Sequence, residues 1–170
     1  MPKTLLDFAL PNTAITESLG VALARAFPGA GVGAVLYLRG ELGSGKTTCA
    51  RSLLHALGVT ATVRSPTYTL VDTYTVGDIN CVHVDLYRLR STAEVEELGL
   101  RDLTGPGFLM LIEWPEKGEN AVPHADVDLQ LRYAGESRAV SLSAASAVGD
   151  AWLGKLALDA SLVPYVSNLT

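Results

Sequence analysis

Residues Gly40 to Thr47 carry the spacing G-x-x-x-x-G-K-T, inside the stretch V-L-Y-L-R-G-E-L-G-S-G-K-T-T that runs from Val35 to Thr48. An apolar run of Val35, Leu36, Tyr37 and Leu38 precedes the first glycine, and a helical pattern follows the threonines without a break. Strand, loop and helix in that order are the context that a phosphate-binding P-loop requires. Gly40, Gly43 and Gly45 let the backbone turn tightly, so that successive N–H groups along Glu41, Leu42, Gly43, Ser44, Gly45, Lys46, Thr47 and Thr48 face phosphate oxygens. The positive end of the following helix adds attraction for the anion. In such a loop Lys46 reaches the β/γ phosphates and the Thr47 hydroxyl ligates Mg²⁺.

A loop of this kind holds phosphate but does not hydrolyse it unaided. Phosphoryl transfer also needs an acid to fix Mg²⁺ and a group to position the attacking oxygen. Two strand ends offer acids. In Cys81-Val82-His83-Val84-Asp85, alternation puts Cys81, His83 and Asp85 on one face. In Leu109-Met110-Leu111-Ile112-Glu113, a carboxylate is the first residue past an apolar run. Either suits the metal-fixing role. Because ligands of open α/β sheets collect at the carboxyl ends of parallel strands, Glu113 is favoured and Asp85 is expected to converge on the same site. Arg64-Ser65-Pro66-Thr67 forms a loop in which a fixed proline sits beside two hydroxyls, suited to presenting Thr67 to Mg²⁺ or to a water. His83 reads first as a core histidine rather than a base. Arg88 is expected to pair with nearby acids rather than reach a phosphate, and spacing leaves Trp114 open between packing and a partner-facing role.

The elements that position these residues follow from periodicity. Leu5 to Pro11 reads as a strand or extended arm. Asn12 or Thr13 caps a helix whose apolar positions are Ile15, Leu19, Ala22, Leu23 and Ala26, ended by Pro28-Gly29. The helix after the P-loop buries Ala50, Leu53, Leu54 and Leu57 and stops at Gly58. Thr69 to Val76 and Ile79 to Asp85 are separated only by Gly77-Asp78, which implies an antiparallel hairpin. Ser91 to Glu94 has capping-box spacing for a short helix. Phe108 to Ile112 is apolar throughout, as for a strand buried on both faces. Val127, Leu129, Leu131 and Tyr133 alternate with polar residues, and a turn at Ala134 to Ser137 leads to a second hairpin partner at Ala139 to Ser143. Ala147 to Leu158 is expected to be helical, with Val148, Trp152, Leu156 and Ala157 packing, and the residues from Leu162 onward to be a loose tail. The fold class is therefore α/β: a mixed sheet, a parallel centre plus antiparallel hairpins, flanked by helices. Residues 1–160 form one domain and 161–170 a C-terminal tail.

Bulk properties agree. A chain of 170 residues with 48% hydrophobic and 18% charged residues is globular and long enough for one proper core. A net charge of −5 argues against an autonomous nucleic-acid binder, though not against RNA reached through another subunit. Cys49 and Cys81 are too few for a disulfide framework, which fits a reduced, cytoplasmic setting. No apolar run approaches the roughly 18 residues of a membrane span.

Four ordered blocks then resemble a known family. The P-loop G-E-L-G-S-G-K-T-T, S-P-T-Y-T-L-V (Ser65 to Val71), H-V-D-L-Y-R-L (His83 to Leu89) and I-E-W-P-E (Ile112 to Glu116) are similar to those of TsaE, over roughly residues 12 to 145. TsaE is the small bacterial ATPase of the pathway that makes N6-threonylcarbamoyladenosine (t6A) at position 37 of ANN-decoding tRNAs. The resemblance implies a P-loop NTPase fold with a mixed sheet, Mg²⁺-ATP as ligand and assembly with TsaB and TsaD, with tRNA contacted only through that complex. It implies that Thr47 and Glu113 hold Mg²⁺, that Asp85 is the acid needed for hydrolysis, and that Ser65 to Thr67 form a switch-like loop. It also places Thr13 near the adenine and the Gly135-Glu136 turn near another nucleotide contact. The competing class is a small-molecule or nucleoside kinase, but the chain offers no arginine cluster for the lid such kinases carry, only Arg132 and Arg138 among Trp114, Pro115 and Lys117.

Overall fold

The computed structural model describes residues 3–167. Seven strands form one sheet in the order β1-β7-β6-β2-β5-β4-β3. The centre is parallel: β2 (Ala34–Arg39) lies between β6 (Val127–Ala134) and β5 (Phe108–Glu113), and β5 pairs in turn with β4 (Ile79–Asp85). Antiparallel pairs extend both sides, with β3 (Val71–Val76) on β4, and β7 (Ser137–Ala144) between β6 and β1 (Leu5–Leu10). This is the mixed sheet expected from the sequence. The two hairpins turn where the Gly77-Asp78 and Gly135-Glu136 pairs lie.

Alternation along β4 and β5 divides the interior in two. Cys81, Leu109 and Leu111 pack with Leu36 and Leu38 beneath α1 (Thr13–Ala26), α2 (Lys46–Leu57) and α4 (Ala147–Leu156). Val82, Val84, Met110 and Ile112 face the other way, onto Leu86, Val95, Leu100, Ala121 and Val122 around the short helix α3 (Thr92–Glu97). Parallel strands buried on both faces must be apolar at nearly every position, and β5 is.

The helix ends follow their local chemistry. The Asn12 side chain accepts from the Ile15 N–H at 3.1 Å, so Asn12, not Thr13, caps α1. Ser91 and Glu94 complete the expected capping box of α3. Helices α1 and α2 cross at Gly20, where a Cβ would stand 1.9 Å from Ser52 Oγ and 2.5 Å from the Cys49 carbonyl oxygen. A side chain there would push α2, and with it the P-loop, away from the sheet.

Three expectations need correction. Helix α4 stops at Leu156, leaving Ala157 exposed, while Leu153 takes the buried position beside Trp152 and Leu156. Tyr133 does not point into the core but is 44% exposed. The tail is not loose over its described length: Leu162 is 1% exposed in the main core, Val163–Tyr165 form a 3₁₀ turn, Val166 bridges Phe8, and the Ser167 N–H donates to the Asp7 carbonyl at 2.8 Å. Arg25 of α1 reinforces this by pairing with Asp159 at 2.9 Å. One buried leucine is enough to anchor a segment that composition alone leaves free. Residues 168–170 lie outside the described residues.

Both cysteines are buried, and burial pushes the Cys49 thiol up to about 12 and the Cys81 thiol up to about 11. They should therefore be inert to a disulfide reagent such as DTNB at pH 8 in the folded protein and react fully after denaturation. Leu162→Ala should lower the unfolding free energy by about 2–5 kcal/mol, read by urea denaturation. A loss indistinguishable from zero would mean that the tail is not held.

Candidate nucleotide site

Parallel pairing brings the two candidate acids to one place. Asp85 stands in register with Glu113 on β4 and β5, and Glu113 with Leu38 on β2. Residues in register on parallel strands point to the same face, so both carboxylates face α2, and both are buried, at 3% and 2% exposure. Buried carboxylates need donors. Thr47, in the first turn of α2, donates its Oγ1 proton to Glu113, lying 2.9 Å from Oε1 and 3.0 Å from Oε2. Asp85 accepts from Ser65 Oγ and, at 2.9 Å, from the Tyr87 N–H; Thr67 Oγ1 lies 2.9 Å from Ser65 Oγ and 3.5 Å from Asp85 Oδ2. The proline-fixed loop thus reaches the strand ends through both of its hydroxyls.

The loop between β2 and α2 is shaped as its sequence suggests. Gly45 caps α2 at φ 109°, a left-handed conformation that L side chains rarely adopt, and the Cys49 N–H donates to its carbonyl. Lys46, 5% exposed, folds back over the loop and donates to the Gly40 and Glu41 carbonyls at 2.7 and 2.9 Å. Its ammonium lies 4.1 Å from the centroid of the Trp114 ring, a cation–π contact. Burial holds that ammonium below the usual lysine range, opposed by the charges of Glu113, Asp85 and Glu116. Trp114 has φ 59° and ψ 47°, uncommon for a bulky residue, and this backbone turn directly after Glu113 lays the indole over Lys46. Tyr87 stacks against Trp114 at 5.0 Å between ring centroids.

These groups line a cleft of about 290 Å³ that contains Lys46, Thr47, Thr48, Ser65, Thr67, Asp85, Glu113, Tyr87 and Trp114. A second hollow of about 300 Å³ shares Gly43, Gly45 and Thr48 with it and continues past Asn12, Thr13, Thr16 and Ser44 to Glu136, Ser137 and Arg138. The P-loop lies between the two. One side is rich in oxygen ligands and carries the lysine; the other leads to the start of α1. Among the described residues, the buried Ser44 Oγ has no hydrogen-bond partner, an orphaned hydroxyl inside the loop. The β6–β7 hairpin clasps the loop from outside: Tyr133 Oη donates to the Leu42 carbonyl at 2.6 Å, and Arg138, stacked on Tyr133 at 4.1 Å, reaches the Gly43 carbonyl at 3.4 Å.

The structure thus brings together Glu41, Leu42, Gly43, Ser44, Gly45, Lys46, Thr47, Thr48, Ser65, Thr67, Asp85 and Glu113, with Thr13 at the far end of the groove. Gly135 occupies the tip of the hairpin turn at φ 63°, and its successors Glu136, Ser137 and Arg138 line the hollow. Arg88 departs from expectation. Among the described residues it makes no ion pair, and its guanidinium lies over Tyr68 at 4.3 Å, exposed. Sequence reading passed over Tyr87, Tyr133 and the clasping role of Arg138. The available signals were the aromatic two residues past Asp85 and the aromatic-turn-arginine order of the hairpin.

The oxygen donors fit Mg²⁺. Thr47 Oγ1 and the Glu113 carboxylate, 2.9 Å apart, are hard oxygen donors of the kind that would hold this ion. No group of three or more His, Cys, Asp or Glu among the described residues could hold a metal by itself.

Comparisons with known proteins agree in their direction. A family model described as "Threonylcarbamoyl adenosine biosynthesis protein TsaE" matches residues 10–140. The tRNA threonylcarbamoyladenosine biosynthesis protein TsaE of Haemophilus influenzae is 41% identical over 115 residues, 68% of this chain and 73% of that one. The protein of the same name from a Synechocystis species is 37% identical over 121 residues, 69% of this chain and 74% of the other. The crystal structure of YdiB from Bacillus subtilis superposes with a TM-score of 0.73 at 25% identity, covering 92% of this chain and 97% of that one.

Lys46 must leave the Gly40 and Glu41 carbonyls to meet a phosphate, and this movement should change the emission of Trp114. ATP added without Mg²⁺ should shift that emission in a Trp152→Phe background, and Lys46→Met should remove the shift. An equal shift in the Lys46→Met protein would separate the signal from the lysine.

Proposed function

The chain belongs to the TsaE family, and from that premise we propose that it is the Mg²⁺-dependent ATPase subunit required for t6A modification of adenosine 37 in ANN-decoding tRNAs. In this reading it acts in the cytoplasm by ATP binding and hydrolysis on a TsaB–TsaD complex and meets tRNA only through those partners. The observation that carries the reading is the junction of Thr47 and Glu113 beside Lys46, with Asp85, Ser65 and Thr67 across the same cleft.

Each residue has a task in this chemistry. The loop amides and Lys46 bind the β and γ phosphates. Mg²⁺, when bound through Thr47 and Glu113, supplies charge neutralisation between the phosphates. Asp85 can accept a proton from the attacking water or fix its direction, and its present donors, Ser65 and Thr67, belong to the loop best placed to respond to a γ phosphate. Thr13 and Arg138 line the hollow on the other side of the loop from Lys46 and Glu113, which leaves it to the nucleoside. Trp114 and Tyr87 cover the phosphate side and limit water there. Among the described residues, no arginine lines the cleft that holds Lys46, Asp85 and Glu113. Without an arginine in that cleft to stabilise the transition state, hydrolysis in the isolated protein is slow, and the missing positive charge is supplied by the assembly.

Purified protein should therefore show weak ATPase activity that rises strongly on adding TsaB and TsaD, and should support t6A formation in a reconstituted assay. Lys46→Ala and Thr47→Ala should abolish productive Mg²⁺-ATP binding. Asp85→Ala and Glu113→Ala should lower turnover on the order of 10²-fold or more while nucleotide still binds. Brisk turnover alone with no response to the partners, or phosphoryl transfer to a small acceptor, would overturn the proposal.

A further inference from the structure

Behind Glu113 lies a histidine that the proposed chemistry does not use. His83, on β4, is fully buried at 0% exposure and stands in register with Leu111, so its ring shares the face of Asp85 and Glu113. Its Nε2 lies 2.8 Å from Glu113 Oε1. Glu113 makes no other side-chain hydrogen bond among the described residues except those from Thr47. A carboxylate only accepts, so Nε2 is the donor. Nδ1 is buried and has no partner among the described residues. The ring is thus attached to the polar part of the structure at one atom, and that atom is aimed at the acid.

We propose that His83 is a positioning residue for Glu113: it holds Oε1 and so presents Oε2 to the cation in the cleft. The inference rests on the Mg²⁺-nucleotide reading above. Thr47 cannot fix the carboxylate, because its Oγ1 is almost equidistant from the two oxygens, at 2.9 and 3.0 Å, and is itself a candidate ligand. His83 bonds one oxygen only, from the strand beside Glu113. Metal-binding side chains are commonly oriented by such a partner, whose loss costs about 10–100-fold in metal affinity or activity. Phosphate contacts from Lys46 and the loop amides do not pass through His83, so nucleotide binding without metal should be indifferent to it.

The test is a Mg²⁺ titration of methylanthraniloyl-ATP binding, followed by fluorescence, on the full chain and on three variants whose thermal unfolding is also recorded. His83→Leu should raise the Mg²⁺ concentration needed for half-maximal effect by about 10–100-fold while metal-free nucleotide affinity stays unchanged. His83→Gln, whose amide nitrogen can reach the position of Nε2, should restore most of the Mg²⁺ response, whereas the shorter His83→Asn should not. If His83→Leu fails to fold, the Gln and Asn pair decides. A normal Mg²⁺ response in a folded His83→Leu or His83→Asn protein overturns the positioning role. A native chain whose nucleotide binding ignores Mg²⁺ overturns both this role and the functional reading beneath it.

Discussion

Glu113 is a carboxylate closed off from solvent at the end of a parallel strand, and a buried anion without donors would unfold its surroundings or take up a proton. Everything nearby is arranged to meet that demand. Thr47 must sit in the first turn of α2 to reach it, which fixes where α2 begins. Gly45 must take a left-handed conformation for the helix to begin there. Gly20 must lack a side chain so that α1 lets α2 lie close enough to the sheet. A single buried charge therefore constrains two helices, one loop and the register of β2, β5 and β4, because no alternative placement supplies its hydrogen bonds.

The same demand explains why the site is satisfied from within. Lys46 has two carbonyls and an indole face, Asp85 has two hydroxyls and an amide, and Glu113 has a threonine and a histidine. For these charged groups, binding a polyphosphate exchanges partners; among the described residues of the loop, it is the Ser44 hydroxyl that has a valence left to fill. Exchange lowers the net gain in affinity, since existing interactions are lost, but it couples binding to movement. Lys46 has to leave Trp114, and any rearrangement of Ser65 and Thr67 has to release Asp85. The left-handed backbone at Trp114 stores conformational cost where the exchange would occur.

How much of this was legible in the sequence depended on whether a signal was local. The P-loop, its strand and its helix announced themselves through glycine spacing and periodicity, and the alternation of Cys81, His83 and Asp85 against Val82 and Val84 is the division of the two core clusters. The two hairpins were legible because short turns force antiparallel neighbours, while the order that places β1 on β7 was not. Contacts that depend on the third dimension were not. Tyr133 keeps strand alternation yet lies exposed, because the hairpin outruns the core and bends over the P-loop. Arg88 stacks on Tyr68, a pairing that no spacing rule encodes. The tail docks through Leu162, one residue whose hydrophobicity counts only once the gap it fills is known.

The position of the arginines bears on what kind of P-loop protein this is. A phosphoryl-transfer site needs positive charge opposite the developing negative charge, and in this cleft Lys46 is the buried cation. Arg138, half-buried, is drawn toward Gly43 and Tyr133 at the wall of the second hollow, and Arg88, exposed, lies over Tyr68; neither lines the cleft of Lys46 and Glu113. Arg88 spends one donor, on Tyr68 Oη, whereas Arg138 gives its terminal nitrogens to the Glu136, Ser137 and Gly43 carbonyls. Both can take part in contact with a second protein without first breaking a buried ion pair. Arginines so placed, beside a cleft whose acids and lysine are already satisfied, suit a nucleotide site that another subunit completes more than one that works alone.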